Sequence, residues 1–177
     1  MAEYRRRLPH FQPEGEYLFV TWRLYGSLPV EPPDIIYATP GHQFVARDRD
    51  LARNSEIQWL SDTRVARQVV ESIRGGEGRL YELHAWVVMP NHVHLLILPS
   101  VPLAQITHSI KGRTAREANL LLERTGEPFW QNESYDHWVR NAKECRRIAT
   151  YIEENPVSAG LVSAPEDWPW SSATRAS

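Results

Sequence analysis

Tyr81-Glu82-Leu83-His84-Ala85-Trp86-Val87-Val88-Met89-Pro90-Asn91-His92-Val93-His94-Leu95-Leu96-Ile97-Leu98 is the stretch on which the fold turns. Tyr81 to Val88 and His92 to Leu98 are both rich in β-branched and aromatic or aliphatic residues, the composition of strands. Met89-Pro90-Asn91 between them is too short for a crossover, so the two strands form an antiparallel hairpin. Alternation then puts His92 and His94 on one face of the sheet, and Val93, Leu95 and Ile97 on the other. Two imidazoles at neighbouring same-face positions can chelate one metal ion. Taken alone, they are more simply two polar side chains on an open sheet face.

Working outward, Tyr17 to Leu24 is a further strand, closed by Gly26 and Pro29. Pro29, Pro32, Pro33 and Pro40 make residues 26–47 a long irregular loop. Glu56 to Ile73 is helical, with Ile57, Leu60, Val65, Val69 and Ile73 on one broad face. Beyond the hairpin, Pro99 and Pro102 end the strand, and Leu103 to Glu123 forms a long helix. Phe129-Trp130-Gln131 is expected as a short strand. Asn141 to Glu154 is a third helix, halted by Asn155-Pro156. The order strand, helix, strand, strand, helix, strand predicts an α+β fold, a ferredoxin-like β-α-β-β-α-β sandwich with an additional C-terminal helix. Its helices are expected to cover one sheet face and leave the other free. Residues 1–16, polar, arginine-bearing and Pro-punctuated, are read as an arm, and residues 17–177 as one domain.

Composition bounds the function. The chain has 177 residues, 42% hydrophobic and 24% charged, which suits one globular domain and excludes wholesale disorder. No run approaches the roughly 18 apolar residues of a membrane span. The basic start, Arg5-Arg6-Arg7, is followed by no apolar segment, so no cleavable signal is expected. The single cysteine, Cys145, excludes an internal disulfide and a thiolate zinc site, and fits a reducing compartment. The net charge of −2 argues mildly against a protein that coats duplex DNA, but leaves room for a local basic groove. Only Lys111 and Lys143 of the 20 basic residues are lysine. Arginine's planar fork suits phosphate oxygens, although a GC-rich genome gives the same bias.

Tyr151 and Asn155 lie four apart on the third helix, one turn from each other, with Ile148 and Ile152 marking the buried stripe. A tyrosine at the rim of such a stripe is commonly a packing residue, and an asparagine before proline a helix C-terminal residue. Taken together the segments are more specific. Met89-Pro90-Asn91-His92-Val93-His94-Leu95-Leu96, then Tyr151-Ile152-x-x-Asn155-Pro156-Val157-x-Ala159-Gly160-Leu161-Val162, resembles the single-tyrosine HUH transposases of bacterial insertion sequences. The resemblance is strongest to their REP-associated tyrosine transposase branch. Phe19-Val20-Thr21-Trp22-Arg23, Phe129-Trp130-Gln131, Ser134-Tyr135-Asp136 and Trp168-Pro169-Trp170-Ser171-Ser172 resemble that branch too, so the likeness spans nearly the whole chain.

The resemblance implies a metal-dependent DNA transposase. It would bind hairpin-forming repeats, and cleave and rejoin single-stranded DNA through a 5′-phosphotyrosine. It assigns the metal to His92 and His94, the nucleophile to Tyr151, and the third, amide ligand to Asn155. The insertion-sequence branch commonly has the longer glutamine at that last position. Two imidazoles and an amide are not the all-oxygen set magnesium prefers, so manganese would serve as well as magnesium. The resemblance further implies a bacterial, cytoplasmic, nucleoid-associated protein, with no membrane partner, acting as a monomer or homodimer. Competing readings are a domesticated DNA-binding protein with little turnover and a small metal-dependent nuclease.

Candidate DNA-binding residues complete the reading. Lys111, Arg113 and Arg116 lie in an acid-free span of the second long helix. Arg113 and Arg116 share a side there, and Lys111 diverges from Arg113. Arg147 lies one turn before Tyr151, where it would meet the scissile phosphate or pair with Glu144 or Glu154. Arg5, Arg6 and Arg7 would reach DNA as a mobile arm. Tyr135 has no amide partner at helical spacing and is read as structural or base-stacking.

Overall fold

The computed structural model describes residues 15–27 and 56–174. The arm with Arg5, Arg6 and Arg7, and most of the Pro-rich loop, lie outside the described residues. The elements run β1 (Leu18–Arg23), α1 (Thr63–Arg74), β2 (Tyr81–Val88), β3 (His92–Pro99), α2 (Leu103–Leu121), β4 (Tyr135–Trp138) and α3 (Ala142–Ser158). The sheet order is β2-β3-β1-β4, with every neighbour antiparallel. This is the ferredoxin-like α+β arrangement, with α3 added after the last strand.

The hairpin forms as its alternation requires. Val93, Leu95 and Ile97 join Leu18, Val20, Trp22 and Leu24 in a core against Val65, Val69 and Ile73 of α1 and Ile106 and Ile110 of α2. A bulge between Leu83 and Ala85 interrupts the pairing of β2 with β3. It sends Leu83 to that core and Ala85, two residues on, to the opposite face. The opposite face is not left free. Phe19, Ala85, Val87, Met89 and Leu96 form a second core with Ile148 and Ile152 of α3. Helices therefore cover both faces of the sheet, and the face carrying the histidines is roofed by the helix carrying Tyr151.

Three local expectations are corrected. The first helix starts at Thr63, after a single 3-10 turn at Trp59–Ser61, because Asp62 accepts a hydrogen bond from the Arg64 backbone N–H and caps it. Phe129-Trp130-Gln131 is no strand. It makes one bridge, Trp130 with Leu24, and its aromatics are core. The fourth strand is Tyr135–Trp138, an edge strand whose half-exposed residues lack an apolar alternation. Finally, α3 continues through Pro156 to Ser158. Proline there costs one backbone hydrogen bond in the last turns of the helix, and its ring is buried.

The C-terminal tail closes the β2 edge. Val88 N–H donates to Trp170 O (2.8 Å) and Ser172 N–H to Trp86 O (2.9 Å). Trp168 Nε1 donates to Val88 O (3.0 Å), and Ser172 Oγ donates to Glu153 Oε1 of α3 (2.9 Å). A strand edge that would otherwise invite pairing is thereby covered, and α3 is tied down from its far end.

Candidate active site

The site is built where the hairpin meets α3. His92 and His94 are both fully buried, with ring centroids 4.7 Å apart. His94 Nδ1 lies 2.7 Å from Thr21 Oγ1, its cross-strand register partner on β1. His92 Nδ1 lies 2.7 Å from Asn91 Oδ1. Asn155, 5% exposed, brings its side-chain Nδ2 to 3.3 Å from His94 Nε2. Thr21 Oγ1 and Asn91 Oδ1 can each accept a proton from the Nδ1 they face, and in that tautomer both rings present Nε2 as the electron-pair donor, the state in which an imidazole ligates a metal.

Continuation of α3 past Asn155 decides what Asn155 can do. It sits within the helix rather than at its end, one turn beyond Tyr151, and its amide faces the sheet. Tyr151 is half-buried. Its ring centroid lies 5.8 Å from that of His94, and it meets Phe19 edge-on at 6.2 Å. His92, His94, Tyr151 and Asn155 therefore come together. Among the described residues no cluster of three or more His, Cys, Asp or Glu side chains could hold a metal ion. Any metal here would rest on two imidazoles and an amide oxygen, with the remaining ligands supplied from outside the protein. The amide oxygen and nitrogen of Asn155 exchange on a half-turn of its side chain, so the group fits that role.

The start of α3 is pinned to β4. Asn141 Oδ1 accepts from Glu144 N–H (2.9 Å) and caps the helix. The Glu144 carboxylate accepts from Arg140 N–H (2.8 Å) and lies 3.1 Å from His137 Nε2. Burial works to raise the Glu144 pKa, but those donors outweigh it and hold the carboxyl below its usual range. Arg147 is exposed and reaches Glu144 at 3.5 Å, the pairing that its position on the helix allows. Tyr135 also faces this side and packs against Phe19, with ring centroids 6.3 Å apart. Burial first, then the Asp136 and Glu144 carboxylates, push its phenol above the ordinary value. That disfavours the phenolate at this position.

The second helix is not part of the site. α2 packs on the other sheet face, through Ile106, Ile110 and Ala118. Lys111 Nζ donates to Gln131 O (2.6 Å) and Asn132 O (3.0 Å), which anchors the loop leading to β4. Arg113 pairs with Glu117 at 3.1 Å, and Arg116 is exposed. Sequence reading missed Thr21 and Asn91. Register opposite His94 would have flagged the first, and adjacency to His92 the second.

One sheet face thus carries a paired-histidine strand and is roofed by a tyrosine-bearing helix with an amide one turn on. The family described as "Transposase IS200 like" matches residues 54–155, more than half of the chain, and the chain belongs to it. It is similar to the REP-associated tyrosine transposase of Escherichia coli (strain K12), 33% identical over 100 residues, covering 55% of this chain and 57% of that protein. A Haemophilus influenzae protein assigned to the same class is 31% identical over 107 residues, covering 54% of this chain and 60% of the relative. The chain thus spans somewhat over half the length of these relatives. A solved REP-associated tyrosine transposase bound to a REP hairpin matches with a TM-score of 0.63 at 27% identity, covering 99% of this chain and 84% of that one. Among the described residues no helix is long and apolar enough to cross a membrane.

Proposed function

We propose that the protein is a metal-dependent transposase that binds hairpin-forming repeats and cleaves and rejoins single-stranded DNA through Tyr151. The observation that carries this reading is the convergence of Tyr151, His94 and Asn155 over one sheet face, with His92 beside them. Membership of a transposase family, and likeness to a relative seen with a REP hairpin, support the DNA substrate.

His92 Nε2, His94 Nε2 and the Asn155 amide oxygen would hold a divalent ion, manganese or magnesium. When bound, such an ion neutralises a non-bridging phosphate oxygen and orients the phosphorus for in-line displacement. Thr21 and Asn91 hold the two imidazoles in the ligating tautomer. Tyr151 loses its phenolic proton, and its oxygen attacks phosphorus. The bond to the 3′ oxygen breaks, and that oxygen takes up, through solvent, the proton that Tyr151 released, leaving a free 3′ hydroxyl and a 5′-phosphotyrosine. Attack by a 3′ hydroxyl reverses the step and restores the tyrosine. Because the phosphodiester energy is kept in the tyrosyl ester, rejoining needs no nucleotide cofactor.

One tyrosine on one helix serves one strand. An unpaired strand can enter between the histidines and Tyr151, whereas a duplex must first be unstacked at about 1.4 kcal/mol per base-pair step. Cleavage of a hairpin-bearing strand, its complement and the annealed duplex, at matched salt, tests the reading. The expected result is cutting of the hairpin-bearing single strand, lost in excess chelator and in His94→Ala. Efficient cutting of both strands of the duplex would refute it and point to an ordinary metal-dependent nuclease.

A further inference from the structure

Among the described residues, Arg23 is the only arginine or lysine on any of the four strands. Its position is specific. β1 and β3 pair so that Arg23 stands opposite His92, as Thr21 stands opposite His94. Trp22 and Leu24 on either side of it are buried in the core facing α1 and α2. Arg23 therefore shares the sheet face of Thr21, whose hydroxyl reaches His94, which is the face of the candidate site.

The backbone around Arg23 is held from both sides. Leu24 N–H donates to Asn91 O (2.8 Å), and Gln131 N–H donates to Arg23 O (2.9 Å). The chain then turns at Gly26, whose φ is +73°, a left-handed conformation that favours glycine. That turn brings the buried Ser27 back, where Ser27 Oγ donates to Leu24 O (2.8 Å) and accepts from Arg23 Nη1 (3.5 Å). The guanidinium thus reaches the turn that follows β1.

Charge gives this placement its meaning. His92, His94 and Asn155 are neutral as ligands, so a divalent ion on them keeps its full positive charge. A guanidinium at the adjoining register position is repelled by that charge unless an anion lies between them. A phosphodiester has two non-bridging oxygens and can satisfy two cations at once. Arg113, Arg116 and Lys111 lie on a helix packed on the other sheet face.

We propose that Arg23 is the phosphate-binding residue of the site, gripping the backbone of the DNA strand presented to Tyr151. The proposal rests on the single-stranded DNA reading and adds a specific contact to it. The test is equilibrium binding of a labelled REP hairpin, the kind of DNA bound by the solved relative, with an unpaired flank, measured in excess chelator so that only protein contacts count. The flank carries single neutral methylphosphonate linkages at successive positions. Arg23→Gln is expected to lose roughly tenfold in affinity, the worth of a charged hydrogen bond. Its slope of log K against log salt should be shallower by about 0.7. One linkage near the cleavage position should cost the unaltered protein a similar factor and cost Arg23→Gln nothing more. Arg23→Lys should keep the salt slope and recover part of the affinity. Arg23→Lys and the linkage scan on the unaltered protein carry the test if Arg23→Gln fails to fold. Unchanged affinity and salt slope in Arg23→Gln, or losses that simply add at every linkage, would overturn the assignment while leaving cleavage by the unaltered protein intact. An unaltered protein that neither binds nor cuts the hairpin strand would overturn the functional reading and this proposal together.

Discussion

Replacing Thr21 by valine would remove a hydroxyl and keep the side-chain shape. Thr21 is 7% exposed, and its Oγ1 lies 2.7 Å from Nδ1 of the fully buried His94. In the ligating tautomer that nitrogen carries the proton, and in the valine variant it would have no acceptor there. Leaving a buried donor unsatisfied costs about 1–3 kcal/mol, so Thr21→Val should be less stable by that amount. The imidazole could then move its proton to Nε2, the position needed for the metal. Loss of an orienting partner of this kind typically costs roughly 10–100-fold in metal affinity. Titration of Mn2+ by calorimetry, alongside urea unfolding, reads both effects. Thr21→Ser keeps the hydroxyl and should recover most of the metal affinity. A Thr21→Val variant that binds Mn2+ as tightly as the parent would refute the claim that Thr21 sets the state of His94.

Ile152 is fully buried between α3 and the sheet, one residue from Tyr151. Ile152→Ala should cost about 2–5 kcal/mol of stability in urea unfolding, with cleavage falling further than the folded fraction because α3 is less firmly seated. Asp62 caps α1, and its hydrogen bonds to Arg64 hold its pKa at about 2 rather than 3.8. Asp62→Ala should cost about 1 kcal/mol near neutrality. A depressed carboxyl stabilises the fold above its unfolded value, so the difference between parent and variant should shrink as pH falls from 4 towards 2. A difference that grew over that interval would contradict the cap.

The hairpin was legible because two physical signals coincided there, a period-2 apolar pattern and a connection too short for anything but antiparallel return. The β2 and β3 limits and the facing of His92 and His94 follow from it. β4 was not legible, since an edge strand of Tyr-Asp-His-Trp buries no alternating apolar face. The buried aromatics of Phe129-Trp130 imitate a strand while serving as core. Pro156 also misled. Proline signals a helix end, and only tertiary burial shows that α3 runs through it, which converts Asn155 from a terminal residue into an inward-facing amide. The roofing of the histidine face by α3 is a tertiary fact that element order leaves open. Arginines on α2 drew attention because they cluster in sequence. Arg23 did not, because a single arginine at a strand end carries no signal until the register sets it opposite His92.

As the nucleophile, Tyr151 would carry the cleaved strand covalently. The most direct measurement is recovery of the covalent protein–DNA adduct after incubation with a hairpin-bearing single strand and Mn2+, with the attached residue located by peptide mass mapping. The expected product is a 5′-phosphotyrosine on Tyr151. Tyr151→Phe removes only the hydroxyl, so it should keep folding and hairpin binding while losing the adduct. An adduct that maps to Tyr135, or that persists in Tyr151→Phe, would rule out Tyr151 as the nucleophile.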